Sequence, residues 1–416
     1  MSTSLPLLLL VATSSVSTSS TSDLEAELAA ALGSDPQPAA PAPSGAPSSV
    51  RFIDIALDLL GAAGLSTEKE ATIRDLEGGG HDPKNRGFTI QNVELTLAGI
   101  VDPYLRGDAN IVLQIDFGGE TVIELEEAYL TSLALPFNLQ LKAGQFFTAF
   151  GRLNPAHPHT WDFVDQPVVN SRFMGGDGLR SQGVQLSWLT PLPFFLELTG
   201  SVQNSQGETA VSFRNAAGET IAGRELIERD VDHPGDLLYL GRLKSSFDFG
   251  EETTVVLGAS GAFGPNATAL DTNTMILGAD LYVKWKPLTN EVGWPYFALQ
   301  AEVLMRRYDV PDPAVLTDYG LYAQALWGFV RPWVVGVRYD FARGQDVAFD
   351  DYTTSSDPLR DERHRASAVL TYYPSEFSKL RLQYAYDRAD FLPDGDAHSV
   401  YLQAEIIFGA HGAHKF

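Results

Sequence analysis

The amino-acid sequence predicts an all-β fold, a transmembrane antiparallel β-barrel of about 16 strands whose third long loop folds inward. Three observations lead there: period-two hydrophobic alternation from residue 51 onward, connections that alternate between short and long, and aromatic residues near the segment ends. In RFIDIALDLLG, Ile53, Ile55, Leu57 and Leu59 share one face while Asp54 and Asp58 share the other. DANIVLQIDF sets Ala109, Ile111, Leu113, Ile115 and Phe117 against Asp108, Asn110, Gln114 and Asp116. Successive side chains of a strand point to opposite faces, so each segment is an amphipathic strand.

The segments begin near Arg51, Phe88, Leu105, Thr121, Phe137, Gly183, Phe194, Leu237, Thr253, Thr274, Tyr296, Gly320, Trp333, Arg363, Ser378 and His398. Residues 51–416 then allow about 23 residues for a strand and its connection, of which a tilted membrane strand takes ~9–11. VDPY, LALP, TPLP, FDFGE, RP and YPSEF are short connections, whereas Thr148 to Gln182 and Asn204 to Asp236 are long and polar. Tight turns at one end and long loops at the other are the pattern of an outer-membrane barrel. Trp188, Phe247, Trp285, Trp327, Phe329, Trp333 and Tyr372 lie near segment ends, as an interfacial girdle requires. A soluble sandwich also alternates, but the faces opposite the apolar ones are too polar to fill a dry core.

Composition excludes several classes. The formal net charge of -24 repels phosphate backbones, so nucleic acid is no partner. Without cysteine there are no disulfides and no thiolate metal sites. Residues 1–22 read as a signal peptide because LPLLLLVA is an apolar core followed by Ser and Thr, although the first basic residue is Arg51. Residues 23–50 read as a short acidic helix and a Pro/Ala-rich periplasmic linker, and 51–416 as the barrel. A last strand closed by Phe416 is a signal for the barrel assembly machinery.

The polar faces then line a lumen. Early strands bring Asp54, Asp58, Glu94, Asp108 and Asp116, and later strands Arg242, Lys244, Lys284, Arg306, Arg338, Arg363, Arg365, Lys379 and Arg381. An acidic wall opposite a basic arc makes a transverse field, unless these charges pair across strands and only stabilise the wall. The stretch HPHTWDFVDQP lies in the third long connection. Trp161 and Phe163 are expected to pin that loop to the inner wall, with Arg152, His157, His159, Asp162, Asp165, Arg172 and Arg180 along the solute path.

The runs IQNVELTLAGIVDPYLRGDANIVLQIDF and IELEEAYLTSLALPFNLQLKAGQFFTAFGRLN resemble the phosphate-selective porin O and P family, over about Gly87 to Trp188. The resemblance implies a water-filled, trimeric channel in the bacterial outer membrane, with no cofactor and a basic constriction that favours anions. By position Arg152, Arg172 and Arg180 take that role. The loop carries acids and no lysine, so weak anion preference rather than phosphate selectivity is expected. The alternative is a zinc-related channel or receptor-like barrel using His157 and His159, with His411 and His414 as further candidate ligands. No G-x-S-x-G, HExxH or phosphate loop occurs, which argues against an enzyme. A plugged adhesion barrel is a third reading.

Overall fold

The computed structural model describes residues 53–115, 120–311 and 315–409. The signal peptide and linker expectations, Asp116, His411, His414 and Phe416 lie outside the described residues. Sixteen antiparallel strands close into one barrel. They are β1 (Ile53–Ser66), β2 (Gly87–Asp102), β3 (Leu105–Ile115), β4 (Thr121–Ser132), β5 (Leu139–Phe147), β6 (Arg180–Leu189), β7 (Phe195–Gln203) and β8 (Leu238–Phe249), followed by β9 (Thr253–Pro265), β10 (Asn273–Trp285), β11 (Tyr296–Asp309), β12 (Val315–Val330), β13 (Trp333–Gly344), β14 (Arg363–Ser375), β15 (Ser378–Ala389) and β16 (Asp396–Gly409). Each pairs with its neighbour in sequence, and β1 pairs with β16 from Ala56 opposite Gly409 to Ser66 opposite Ser399. Closure leaves no unpaired edge, which a hydrocarbon environment requires of a sheet.

The start of β1 and the end of β16 lie at the short-turn end. The strand starts agree with the alternation to within a few residues. The largest difference is at β12, which begins at Val315 rather than near Gly320. Leu316 and Asp318 there continue the inward face, with Asp318 held between Arg306 and Arg360 at 2.5 and 2.7 Å.

Strand β11 shows the two faces clearly. Ala298, Gln300, Glu302, Leu304 and Arg306 point inward and are buried; Phe297 and Val303 are exposed on the outer face. The outer face carries two aromatic girdles. Trp188, Phe247, Trp285, Trp327, Trp333 and Tyr372 ring the short-turn end, with Trp333 and Tyr372 in contact at 4.6 Å between ring centroids. Tyr239, Phe263, Tyr319, Phe341, Tyr384 and Tyr386 ring the other end. Amphipathic rings at both interfaces flanking an apolar band identify the membrane-facing surface.

The long-end loops do not simply project outward. The first holds helix α1 (Glu70–Leu76) and sends Glu77 to Arg365 at 2.7 Å. The fourth packs Ser212 against Arg306 at 2.9 Å, and the third crosses the lumen with helix α2 (Val168–Met174).

The outward position of Val303, near the middle of a 14-residue strand, places it near the bilayer midplane. Val303→Arg is expected to lower folding stability in lipid vesicles by about 2–4 kcal/mol, read from urea unfolding midpoints. No loss there would mean that this face does not meet lipid.

Candidate functional site

The third loop turns inward directly after β5. Gly151 has φ +60°, a conformation that favours glycine, and a Cβ there would stand 2.3 Å from a Glu302 carboxylate oxygen and displace that side chain. Its N–H donates to Ser260 Oγ at 3.1 Å, and the next two N–H groups, of Arg152 and Leu153, donate to Glu302 Oε1 at 2.9 and 2.7 Å. These bonds carry the chain from one wall to the opposite strands. Phe163 packs with Trp294, Tyr296, Leu326 and Val334 on the inner wall, while Trp161 joins the cluster that includes Phe150 and Leu153.

Beyond that turn the loop meets walls of opposite charge. His157 Nε2 lies 2.9 Å from Glu127 Oε2, its Nδ1 lies 2.9 Å from Glu126 Oε2, and His159 Nδ1 lies 3.2 Å from Glu94 Oε2. Burial alone would lower the His157 pKa, but the Glu94 charge and the neighbouring glutamates outweigh it and hold it well above the usual 6.5. Six residues further on, Asp165 meets Arg338 at 2.5 Å, Arg365 at 3.4 Å and the Gln383 amide. Burial would raise its carboxyl; Arg338 and Arg365 outweigh it and hold it below the ordinary aspartate range. Backbone N–H groups of the loop are also held by the wall, Val164 by Gln383 at 2.8 Å and Val168 by Asp340 at 3.1 Å.

Two breaks in strand register deliver the acidic side. Asn110 pairs with Glu127 and Ile111 with Leu125, so Glu126 is an extra residue on β4. The bulge turns two consecutive glutamates into the lumen, both buried. On β2, Leu60 pairs with Asn92 and Gly61 with Ile90, leaving Gln91 as the extra residue. Its side chain donates to the carbonyls of His81 and Val164 at 2.7 and 3.1 Å, tying the first and third loops together.

On the short-turn side of the loop lies a cavity of about 650 Å³, lined by Arg152, His159, Asp162, Lys284, Lys379 and Arg381 among others. Arg152 stacks over Tyr282 at 3.7 Å and donates to Gln300; Lys284 lies over Tyr296; Arg381 donates to Gln403 and to the Trp161 carbonyl. Among the described residues these three cations form no ion pair with a carboxylate. Lys379 pairs with Glu405 at 2.5 Å. Asp162 accepts from Gln324 at 2.7 Å, and burial raises its carboxyl despite Arg381, Lys379, Arg152 and Lys284 nearby.

The expected path residues therefore separate. Arg152, His159, Asp162 and Asp165 line the cavity, while His157 stands beside the acidic wall. Arg172 and Arg180 do not face the cavity: both are buried, Arg172 donating to the Asp361 and Pro358 carbonyls and Arg180 pairing with Glu124 and Glu126. Most expected lumen cations are paired, as the stabilised-wall alternative requires. Arg242 meets Asp280 at 2.8 Å, Lys244 meets Glu197 at 2.9 Å, Arg306 meets Asp318, and Arg363 meets Asp387 at 2.7 Å. Asp58 is buried in the lumen, whereas Asp54 is exposed at the short-turn end and Asp108 pairs with exposed Arg106.

Sequence reasoning missed Glu126, Glu127, Glu77, His81 and Glu302. The adjacent pair Glu126-Glu127 breaks the alternation of IELEEAYL and was the available signal for the bulge. Glu77 and His81 sit in a loop without period and gave none.

No family model matches the chain. An uncharacterized protein of Aquifex aeolicus (strain VF5) is 34% identical over 381 residues, covering 84% of this chain and 76% of that protein. An anion-selective porin from Comamonas acidovorans superposes with a TM-score of 0.54 at 8% identity, over 86% of this chain and all of its own. The outer membrane channel DcaP of Acinetobacter baumannii gives 0.54 at 12% identity, over 86% of this chain and 97% of its own. In-vitro folded OmpT of Vibrio cholerae, in its trimer form, gives 0.52 at 8% identity over 86% of this chain and 100% of its own. At such identities the likeness is one of fold, that of an outer-membrane barrel.

Asp165 joins the loop to two buried guanidinium groups, so Asp165→Ala leaves both without it and is expected to cost about 3–5 kcal/mol of docking. Limited proteolysis of the folded barrel should then cut within residues 148–179, where the wild type is protected. Unchanged protection would show that the ion pairs do not hold the loop.

Proposed function

The chain belongs to one family with the Aquifex aeolicus protein, and we propose that it is an outer-membrane channel for small hydrophilic solutes with a weak preference for anions. The observation that carries this reading is the cavity beneath the third loop, where Arg152, Lys284 and Arg381 are bonded to neutral groups and their charges stay available to a solute. A volume of about 650 Å³ suits a small hydrated solute. Opposing this positive potential is mainly Asp162, since Asp165 is neutralised by Arg338 and Arg365. A cationic, partly desolvated passage favours anions. The preference thus rests on a different set from the one expected, with Arg152 retained and Arg172 and Arg180 replaced by Lys284 and Arg381. A homotrimer is proposed with it, as in the trimer form of the Vibrio cholerae neighbour.

Planar-bilayer recordings across a potassium chloride gradient test the reading. Wild type is expected to give a reversal potential on the anion side, and Arg152→Gln with Lys284→Gln to move it toward cations with folding intact. A barrel that inserts but never conducts would support the plugged adhesion reading instead.

The same cavity has a pH response of definite sign. Asp162 keeps its proton to a higher pH than an ordinary aspartate at 3.8. As pH falls through that raised value the carboxylate is neutralised, Arg152, Lys284, Lys379 and Arg381 stay charged, and anion preference strengthens. Asp162→Asn should show the stronger preference already at neutral pH and lose this acid step. A variant that keeps the full step would place its origin elsewhere.

A further inference from the structure

We propose that Glu94, His157 and His159 form a binding site for one divalent transition-metal ion of the zinc class, which ties the third loop to strand β2. Glu94 bridges the two imidazoles, with Oε1 3.4 Å from His157 Nδ1 and Oε2 3.2 Å from His159 Nδ1. Glu126 Oε2 stands 2.9 Å from His157 Nδ1 as a further carboxylate beside this group. Tetrahedral ligands about 2.0–2.2 Å from zinc stand roughly 3.3 Å apart, so these separations are those of a coordination shell. The three groups Glu94, His157 and His159 alone already bring one donor atom each within 4.8 Å of one another.

Two further observations point to a bound cation. His157 Nδ1 and Glu126 Oε2 are both buried and face each other at 2.9 Å, yet neither makes a hydrogen bond among the described residues. The Glu126 side chain is only 2% exposed, so water does not satisfy that oxygen from bulk.

The other ring nitrogen is fixed as well. His157 Nε2 lies 2.9 Å from Glu127 Oε2, the partner that orients a metal-bound imidazole and fixes its tautomer. The bulge at Glu126 therefore sets two adjacent carboxylates against the two nitrogens of this imidazole. Two imidazoles with one carboxylate select zinc, cobalt or nickel over magnesium and calcium, which take oxygen ligands. Glu94 and the neighbouring Glu126 together neutralise a divalent charge, which a buried site demands.

The test uses the full-length barrel, folded in detergent, stripped with a chelator and titrated with Co²⁺ and then Zn²⁺. One Co²⁺ per barrel with visible d–d absorption, displaced by Zn²⁺ and not by Mg²⁺, is expected. His159→Ala and Glu94→Gln should each abolish the band, and Glu127→Gln should weaken binding about 10–100-fold. Heat-modifiable electrophoretic mobility shows whether each variant is folded. A folded wild type that gives no stoichiometric band overturns the assignment without any variant. So does binding that survives His159→Ala and vanishes when His411 and His414 are replaced.

Discussion

The architecture of the lumen depends on the match between the charge order of one loop and the charge separation of the barrel around it. Strands β1, β2, β4 and β16 present Asp58, Glu94, Glu126, Glu127 and Glu405; β13, β14 and β15 present Arg338, Arg365 and Arg381. The third loop runs His157, His159, Asp162, Asp165, and so meets acids with its imidazoles and bases with its carboxylates. Reversing that order would set like charges together in a medium where charges are poorly screened. The loop has one favourable way to lie across the lumen.

Holding it there has a desolvation cost, and the wall offsets it by giving several of the buried charges more than one partner. Arg365 reaches Glu77, Asp165 and Asp387; Arg338 reaches Asp165 and Asp340; Asp318 takes both Arg306 and Arg360. Such networks contribute less to net stability than to the choice of one arrangement, because pairs such as Arg365 with Glu77 and Arg338 with Asp165 form only when the loops are docked. The first loop enters the same network through Glu77, and through Asp82, which accepts from the N–H of Gln166 in the third loop at 2.8 Å. Burial and the charges of Glu77 and Asp165 push that Asp82 carboxyl up to about 7.

The two bulges concentrate this chemistry. A regular strand offers the lumen every second residue, which spaces its functional groups widely along the wall. An extra residue at Gln91 and another at Glu126 put adjacent side chains on the same face, and both lie where the first and third loops dock. Away from the bulges the cations of the cavity remain bonded to amides, carbonyls and aromatic rings, which position them without cancelling their charge.

Period-two alternation is a local property of the chain, so the sequence by itself determined the strand faces, their number, the girdles at Trp327 and Trp333, and which strands carry acids or bases. It also marked HPHTWDFVDQP as the segment that enters the lumen, through its place after the fifth strand and its mixed charge. Which charges are used up in pairs was decided only by tertiary structure, because partners such as Arg338 and Asp165 are 173 residues apart and meet through closure of the barrel. Arg172 and Arg152 look alike in sequence. One is buried against the carbonyls of the seventh loop and the other borders the cavity, since Arg172 sits on helix α2 and Arg152 on the turn that follows β5. The same holds for Glu126: its identity is written in the chain, but its direction depends on a register shift set by the pairing of β3 with β4.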